Sequence, residues 1–190
     1  MAVQLPPGSF YGETLRSCKL SSLELSERIY PARFHTPKHS HKQALFCYVM
    51  EGEYTEEFSG RTRECRSSTL LFHPPDELHA EYFHDSGGRS FLIEIEPVWL
   101  QRMKDHLKGA DNPADFSGGP LELLARRLYQ EFVRMDDVSG IVIEGLLLEM
   151  LGETSRRSKQ RVANHSPRWL QQAREMLHER FSENLTLAEV

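Results

Sequence analysis

The apolar and polar positions change their rhythm once along the chain. As far as Ile95 the apolar residues come in short runs. Residues 14–20 and 23–29 are mixed segments with little helical periodicity, and 44–50 (ALFCYVM) is a strongly apolar run followed by a Glu51-Gly52 turn signal. Residues 54–58 and 61–65 flank Ser59-Gly60 and predict a hairpin. Residues 69–72 form a short apolar strand stopped by Pro74-Pro75, and 79–83 and 89–95 flank Asp85-Ser86-Gly87-Gly88, a second hairpin signal. Short strands with frequent turns predict a β-sandwich or barrel.

After Pro97 the spacing turns helical. Residues 99–106 predict a short helix, and 109–119 a loop rich in Gly, Pro, Asp and Asn. Leu121, Leu124, Ala125, Leu128, Phe132 and Met135 then recur on one helical face. Residues 139–153 predict a second helix, apolar around most of its circumference. Such a helix suits either a core position against the barrel or an interface with a second copy across a two-fold axis. The stretch 156–168 carries Arg156, Arg157, Lys159, Arg161 and Arg168 without an acidic residue and reads as a solvated linker. Ser166-Pro167 starts a further helix with Trp169, Ala173, Met176, Leu177 and Phe181 on its apolar face. Thr186 and Glu189 form a capping box that opens another, of which the sequence holds one turn.

Composition narrows the function classes. The 190 residues are 39% hydrophobic and 9% aromatic, too apolar for a disordered chain. No apolar run approaches the roughly 20 residues a membrane span needs, and MAVQLPPGSFYG lacks the basic start and apolar stretch of a signal peptide. Cys18, Cys47 and Cys65 are odd in number with no CxxC spacing, which fits a reduced, cytoplasmic setting. A net charge of −5, from 23 basic and 28 acidic side chains, argues against the whole chain being a nucleic-acid binder.

Histidine carries the candidate chemistry. Six of the nine (His35, His39, His41, His73, His79, His84) lie in the strand-rich part. His39 and His41 are two apart, so on a strand both imidazoles point to one side. A facing strand that begins at His79 brings a third. Three neutral imidazoles suit Zn²⁺, Fe²⁺ or Ni²⁺, and the alternative is a metal-free polar pocket lining. Leu45 and Cys47 share the inward face with the HxH pair if the pleat is unbroken, and Glu81 has the parity of His79. Cys47 reads as a small buried apolar residue. No Ser/His/Asp, Cys/His or phosphate-loop arrangement is present, so no catalytic residue is expected.

The spacing around these histidines resembles the two motifs of the cupin superfamily. In the first, His39, His41 and Gly52 match, while Arg33 replaces a glycine and Leu45 replaces the metal-binding carboxylate. In the second, Pro74 and His79 match, while Ser68, Asp76 and Phe83 replace Gly, Gly and Asn. The longer stretches HSHKQALFCYVMEGEYTE and FHPPDELHAEYFHDSGGRSFLIEIEP resemble the sensor domain of AraC-family transcription regulators, and SPRWLQQAREMLHERFSENLTLAEV is similar to the opening of that family's DNA-binding domain.

The resemblance implies a mainly β, cupin-like jelly-roll barrel, then a helical dimerisation element and an incomplete all-α DNA-binding domain. The expected division is a sensor barrel at 1–97, the dimerisation element at 98–155, a basic linker at 156–167 and the start of the helix-turn-helix domain at 168–190. It implies a small-molecule effector in a pocket lined by His39, His41, Leu45, Cys47 and His79, with Phe91 and Ile93 nearby. A homodimer is expected through Leu124, Leu128, Phe132, Ile143, Leu147 and Met150. Trp169, Ala173, Leu177, Phe181, Thr186 and Leu187 mark the start of the DNA-binding domain, which is expected to contact DNA only when complete. The other reading is a metal-dependent cupin enzyme using His39, His41 and His79. No resident cofactor is expected under the sensor reading, and a divalent metal (Zn, Fe or Ni) under the other.

Overall fold

The structure, a computed structural model, describes residues 2–103, 112–163 and Met176, with side chains in the last helix as far as Arg157. The expected start of the DNA-binding domain, with Trp169, Ala173, Leu177, Phe181, Thr186 and Leu187, lies outside the described residues.

Among the described residues nine strands form one sheet: β1 (Val3–Leu5), β2 (Glu13–Leu20), β3 (Leu23–Tyr30), β4 (His39–His41), β5 (Ala44–Phe58), β6 (Arg61–Arg66), β7 (Thr69–His73), β8 (His79–Ile95) and β9 (Ala114–Ser117). The sheet folds over on itself because β5 and β8 are long and each serves both halves. The first half of β5 pairs with β7 and the second half of β8, which continues to β3 and β2. The second half of β5 pairs with β6 and the first half of β8, and His79 meets His39 of β4. This is the mainly β, cupin-like barrel expected from the sequence.

Two expected turns are absent. Glu51-Gly52 and Asp85–Gly88 stay within continuous strands, and the register slips there instead, between Val49 and Glu51 and between Gly52 and Tyr54. Gly52 faces Gly88 at the slip. A Cβ on Gly52 would stand 2.0 Å from the Gly87 carbonyl oxygen, so no other residue fits. The slips also reverse which residues face inward. In β5 the interior is reached by Leu45, Cys47 and Val49 and then by Tyr54; in β8 by Phe83 and then by Leu92.

Arg33, Ser68 and Asp76, the residues standing where the cupin motifs have glycine, all adopt positive φ (58°, 71° and 64°). The tight turns are therefore kept although the residue best suited to them is gone. Each costs about 1 kcal/mol relative to glycine.

The outer face of one half-sheet is covered by α1 (Pro97–Met103), α2 (Gly119–Arg134) and α3 (Ser139–Ala163). Gly118, at φ 71°, and Pro120 begin α2, and Met135 ends it in the left-handed conformation. Its buried stripe of Leu121, Leu124, Ala125, Leu128 and Phe132 packs with Phe46, Leu70, Phe72, Phe91, Ile93 and Ile95 of the sheet. Trp99 is buried in the same cluster and its Nε1 donates to Glu144 Oε1 of α3 at 3.2 Å. β9 extends the sheet beyond β7 inside what the sequence reads as a loop.

Three expectations change here. Phe91 and Ile93 belong to this sheet–helix core, on the opposite face from the barrel interior. The strand slip moves the inward face to even-numbered residues, and Leu92 takes their place. Leu124, Leu128, Phe132, Ile143, Leu147 and Met150 are each 5% exposed or less within the single chain, because their helices use that face to cover the sheet. They are core residues, closed to a partner. Finally, α3 continues to Ala163, so Arg156 and Arg157 are helical where a linker was expected.

Candidate functional site

Four imidazoles meet inside the barrel. β4 holds His39 and His41 on one face, and the β4–β8 register sets His79 against His39. Ring centroids are 5.2 Å apart for His39–His41, 4.3 Å for His39–His79 and 5.5 Å for His41–His79. One ligand-capable nitrogen from each of the three lies within 4.8 Å of the others. His73, the last residue of β7, adds a fourth ring 4.6 Å from His79. The sequence reading ends that strand one residue too soon and misses it. Its signal is the parity it shares with the inward Leu71.

Around the histidines stand Leu45, Cys47 and Leu92, the hydroxyls of Tyr30, Tyr54, Thr36 and Ser90, and the Glu81 carboxylate. His39, His41, Leu45, Cys47 and His79 thus line one cavity. Phe83 stacks on Tyr30 at 4.1 Å and closes one wall. Phe10 and Tyr11 close another, with rings 5.0 Å from His41 and 4.9 Å from His39. Their segment is fastened at several points. Gly8 N–H donates to Glu94 Oε2 at 2.6 Å, and the Arg28 guanidinium lies 5.2 Å from the Phe10 ring and donates to the Phe10 and Gly8 carbonyls. The enclosed space is about 20 Å³. One water needs about 10–15 Å³, so the site as it stands has room for a water or an ion.

Burial keeps His41, His73 and His79 neutral. Desolvation, helped by the neighbouring rings, lowers His41 to about 3 and His79 to about 4, and drives His73 well below the usual histidine value. His39 Nδ1 lies 2.8 Å from the Pro37 carbonyl and His79 Nδ1 lies 3.0 Å from that of Glu77. A carbonyl only accepts, so both Nδ1 atoms carry a proton, which leaves Nε2 of each ring as the atom to face a ligand. Glu81 is pushed up by burial; its backbone N–H donates to Thr36 Oγ1 at 2.8 Å, and the Thr36 hydroxyl donates to its carboxylate. His79 Nε2 is 3.6 Å from Glu81 Oε1. Burial raises the Cys47 thiol to about 12, which makes it an apolar lining group.

The donor set fits a divalent transition ion in part. Imidazole nitrogens are correct ligands, and His41 Nδ1 is buried with no hydrogen-bond partner among the described residues. Leu45 supplies nothing where a carboxylate would complete the set.

The depressed histidines give a signed pH dependence. A histidine lowered in the folded state contributes stability that is present above its unfolded value of about 6.5 and is lost as the pH falls towards its folded value. For His41 that window runs from 6.5 to about 3. In metal-free protein, His41→Asn should flatten the acid-side loss of stability by about 1.4 kcal/mol per pH unit between about pH 6 and 4. Urea denaturation across that range measures it, and parallel curves for the variant and the parent would refute the buried neutral state.

The pattern of the AraC-like ligand binding domain matches residues 21–151. No curated protein matches the chain. Among solved structures it is similar to an RmlC-like cupin from Shewanella frigidimarina, at 20% identity over 39% of this chain and 66% of that one, with a TM-score of 0.37. It is also similar to KdgF from a Halomonas species, at 14% identity over 45% of this chain and 80% of that one, with a TM-score of 0.39. A third is the DMSP lyase DddQ from Ruegeria pomeroyi, at 22% identity over 40% of each chain, with a TM-score of 0.38. With the match spanning α2 and the first half of α3 as well as the barrel from β3 onward, the chain belongs to the AraC-like ligand binding domain family.

Proposed function

We propose that the chain is the ligand-sensing and dimerisation portion of a cytoplasmic AraC-type transcription regulator, whose sequence-specific DNA binding resides in the full-length protein. The observation that carries this reading is the histidine-ringed cavity closed by Phe10 and Tyr11 in a chain of the AraC-like ligand binding family. An organic effector needs more room than about 20 Å³, so it enters only when the Phe10–Tyr11 segment moves. An effector that binds the open arrangement better than the closed one shifts the balance between them, which is the coupling a sensor requires. Its contacts are His39, His41, Leu45, Cys47 and His79, with Ser90 and Leu92 in place of Phe91 and Ile93. The cysteines are free thiols, in keeping with a reducing compartment, and among the described residues no helix is long and apolar enough to cross a membrane.

A thermal-shift screen with small polar and aromatic metabolites tests the pocket. Compounds that raise the melting temperature of the parent should lose that effect in Leu92→Phe, whose larger side chain takes up the small free space. If the shift persists in Leu92→Phe, the compounds bind elsewhere and the reading fails.

Dimerisation belongs to the outward face of α3. Ile141 is 77% exposed and Leu148 is 40% exposed, and Gly145 and Gly152 fall on the same stripe with open space beside each Cα. Spacings of four, three and four residues form a continuous seam, and the glycines let a second helix approach closely. Light scattering should show a dimer that Ile141→Glu and Leu148→Glu convert to folded monomer. A parent chain that is monomeric at high concentration would sink this part.

The convergent nitrogens of His39, His41 and His79 favour a second reading, a metal-dependent cupin enzyme in which the ion supplies Lewis acidity. Stoichiometric metal in purified protein, lost in His39→Ala, would support it.

A further inference from the structure

The geometry points to a different ligand set in the same barrel: a single divalent transition metal ion held by Glu56, His73 and His79. It is assembled from the second half of β5, the end of β7 and the start of β8, with no contribution from β4. The effector reading does not depend on it.

One ligand-capable atom from each of the three lies within 4.8 Å of the others, and the residues are 0%, 3% and 2% exposed. His73 Nε2 stands 3.4 Å from Glu56 Oε1. Even so, Glu56 Oε1 has no hydrogen-bond partner among the described residues, and neither has His73 Nδ1. A buried carboxylate oxygen left so is costly, and a bound cation would satisfy it. The spacing suits one. Ligand bonds of about 2.0–2.1 Å in a tetrahedral arrangement set neighbouring ligand atoms about 3.3–3.4 Å apart, whereas a hydrogen bond would draw the two atoms to about 2.9 Å.

The flanking contacts hold the donors in place. Arg63 Nε donates to the other Glu56 oxygen, and the Glu77 carbonyl holds the Nδ1 proton of His79. Two imidazoles and a carboxylate suit Zn²⁺, Fe²⁺, Co²⁺ or Ni²⁺, with water filling the remaining positions. The carboxylate supplies the negative charge that the three-histidine set lacks. His79 belongs to both sets and its Nε2 can bind one ion, so the two sets exclude each other.

Titration of Co²⁺ into the chelator-treated full chain, by calorimetry and by the intensity of the cobalt ligand-field bands, tests the assignment. One Co²⁺ per chain is expected. Glu56→Gln and His73→Gln should each weaken binding by about 100-fold or more. His39→Ala and His41→Ala should change it by less than about 3-fold, and His79→Ala should abolish it. Glu56→Gln removes the charge that balances Arg63 and risks unfolding, so His73→Gln, which leaves the Glu56–Arg63 pair intact, is decisive. Three results would overturn the assignment: no Co²⁺ binding by the parent, full binding by His73→Gln, or loss of binding in His39→Ala and His41→Ala, which would place the ion on the three-histidine set.

Discussion

Arg63→Ala is expected to destabilise the fold by about 3–5 kcal/mol, against a total of about 5–15 kcal/mol for a typical domain. The Arg63 side chain is 10% exposed and that of Glu56 is 1% exposed, so the pair is shielded from water. The guanidinium also lies 4.3 Å from the Phe58 ring and 3.8 Å from Asp115 Oδ1. Its removal strands the Glu56 charge and takes away packing. The pH dependence separates these effects. Burial holds the Glu56 carboxyl above its ordinary 4.5, and the Arg63 charge pulls it back. A carboxyl raised in the folded state contributes stability that is full below its unfolded value and is lost as the pH rises through its folded value. Without Arg63 that folded value rises further. The deficit of the variant should therefore be largest at neutral pH and shrink towards pH 4.5. Glu56→Met/Arg63→Met, which removes both charges and keeps the volume, should recover most of the loss. If the double variant is as unstable as Arg63→Ala, the paired charges themselves stabilise the fold and a stranded Glu56 charge is not the cause.

Phe91→Ala should cost a comparable 3–5 kcal/mol, roughly 6–20 °C in melting temperature for a chain of this size. Phe91 is fully buried, stacked 5.0 Å from Phe132 and edge-on 5.4 Å from Tyr129, between the sheet and α2. Alanine leaves a cavity in a seam whose two sides are both fixed, by strand pairing and by the helix, so collapse recovers little. Phe91→Leu should restore most of the loss. Thermal melts of the two variants measure this. A loss under about 1 kcal/mol for Phe91→Ala would mean that the ring does not hold α2 to the sheet.

The sequence shows the site more clearly than its surroundings. The HxH spacing places His39 and His41 on one face whatever the neighbouring strands do, because a strand alternates with a period of two. His79 begins its strand a few residues after a proline turn, and its inward direction does not depend on what happens further along β8. Phe91 lies beyond the slip, and counting residues from His79 gives the wrong face. Glu56 looks like a solvent-facing strand residue, since nothing in the local pattern reveals that Arg63 on the neighbouring strand stands opposite it.

The helices show the same division. Their periodicity predicts both helices and the apolar stripe of α2, which agrees with the structure, but it stops the last helix at residue 153, whereas α3 runs on to Ala163. The sequence cannot assign that stripe to the sheet or to a second copy, since either surface buries the same residues equally well. The sequence by itself determined the strand-rich half, the helical half and the convergence of three histidines, because each rests on contacts close along the chain or on strand alternation. Only the tertiary structure decided which face of β8 meets the interior, that His73 and Glu56 join the histidines, and that the apolar helix faces are spent within one chain. Those outcomes depend on register slips and on pairings between distant strands, where a shift of one residue exchanges inside for outside.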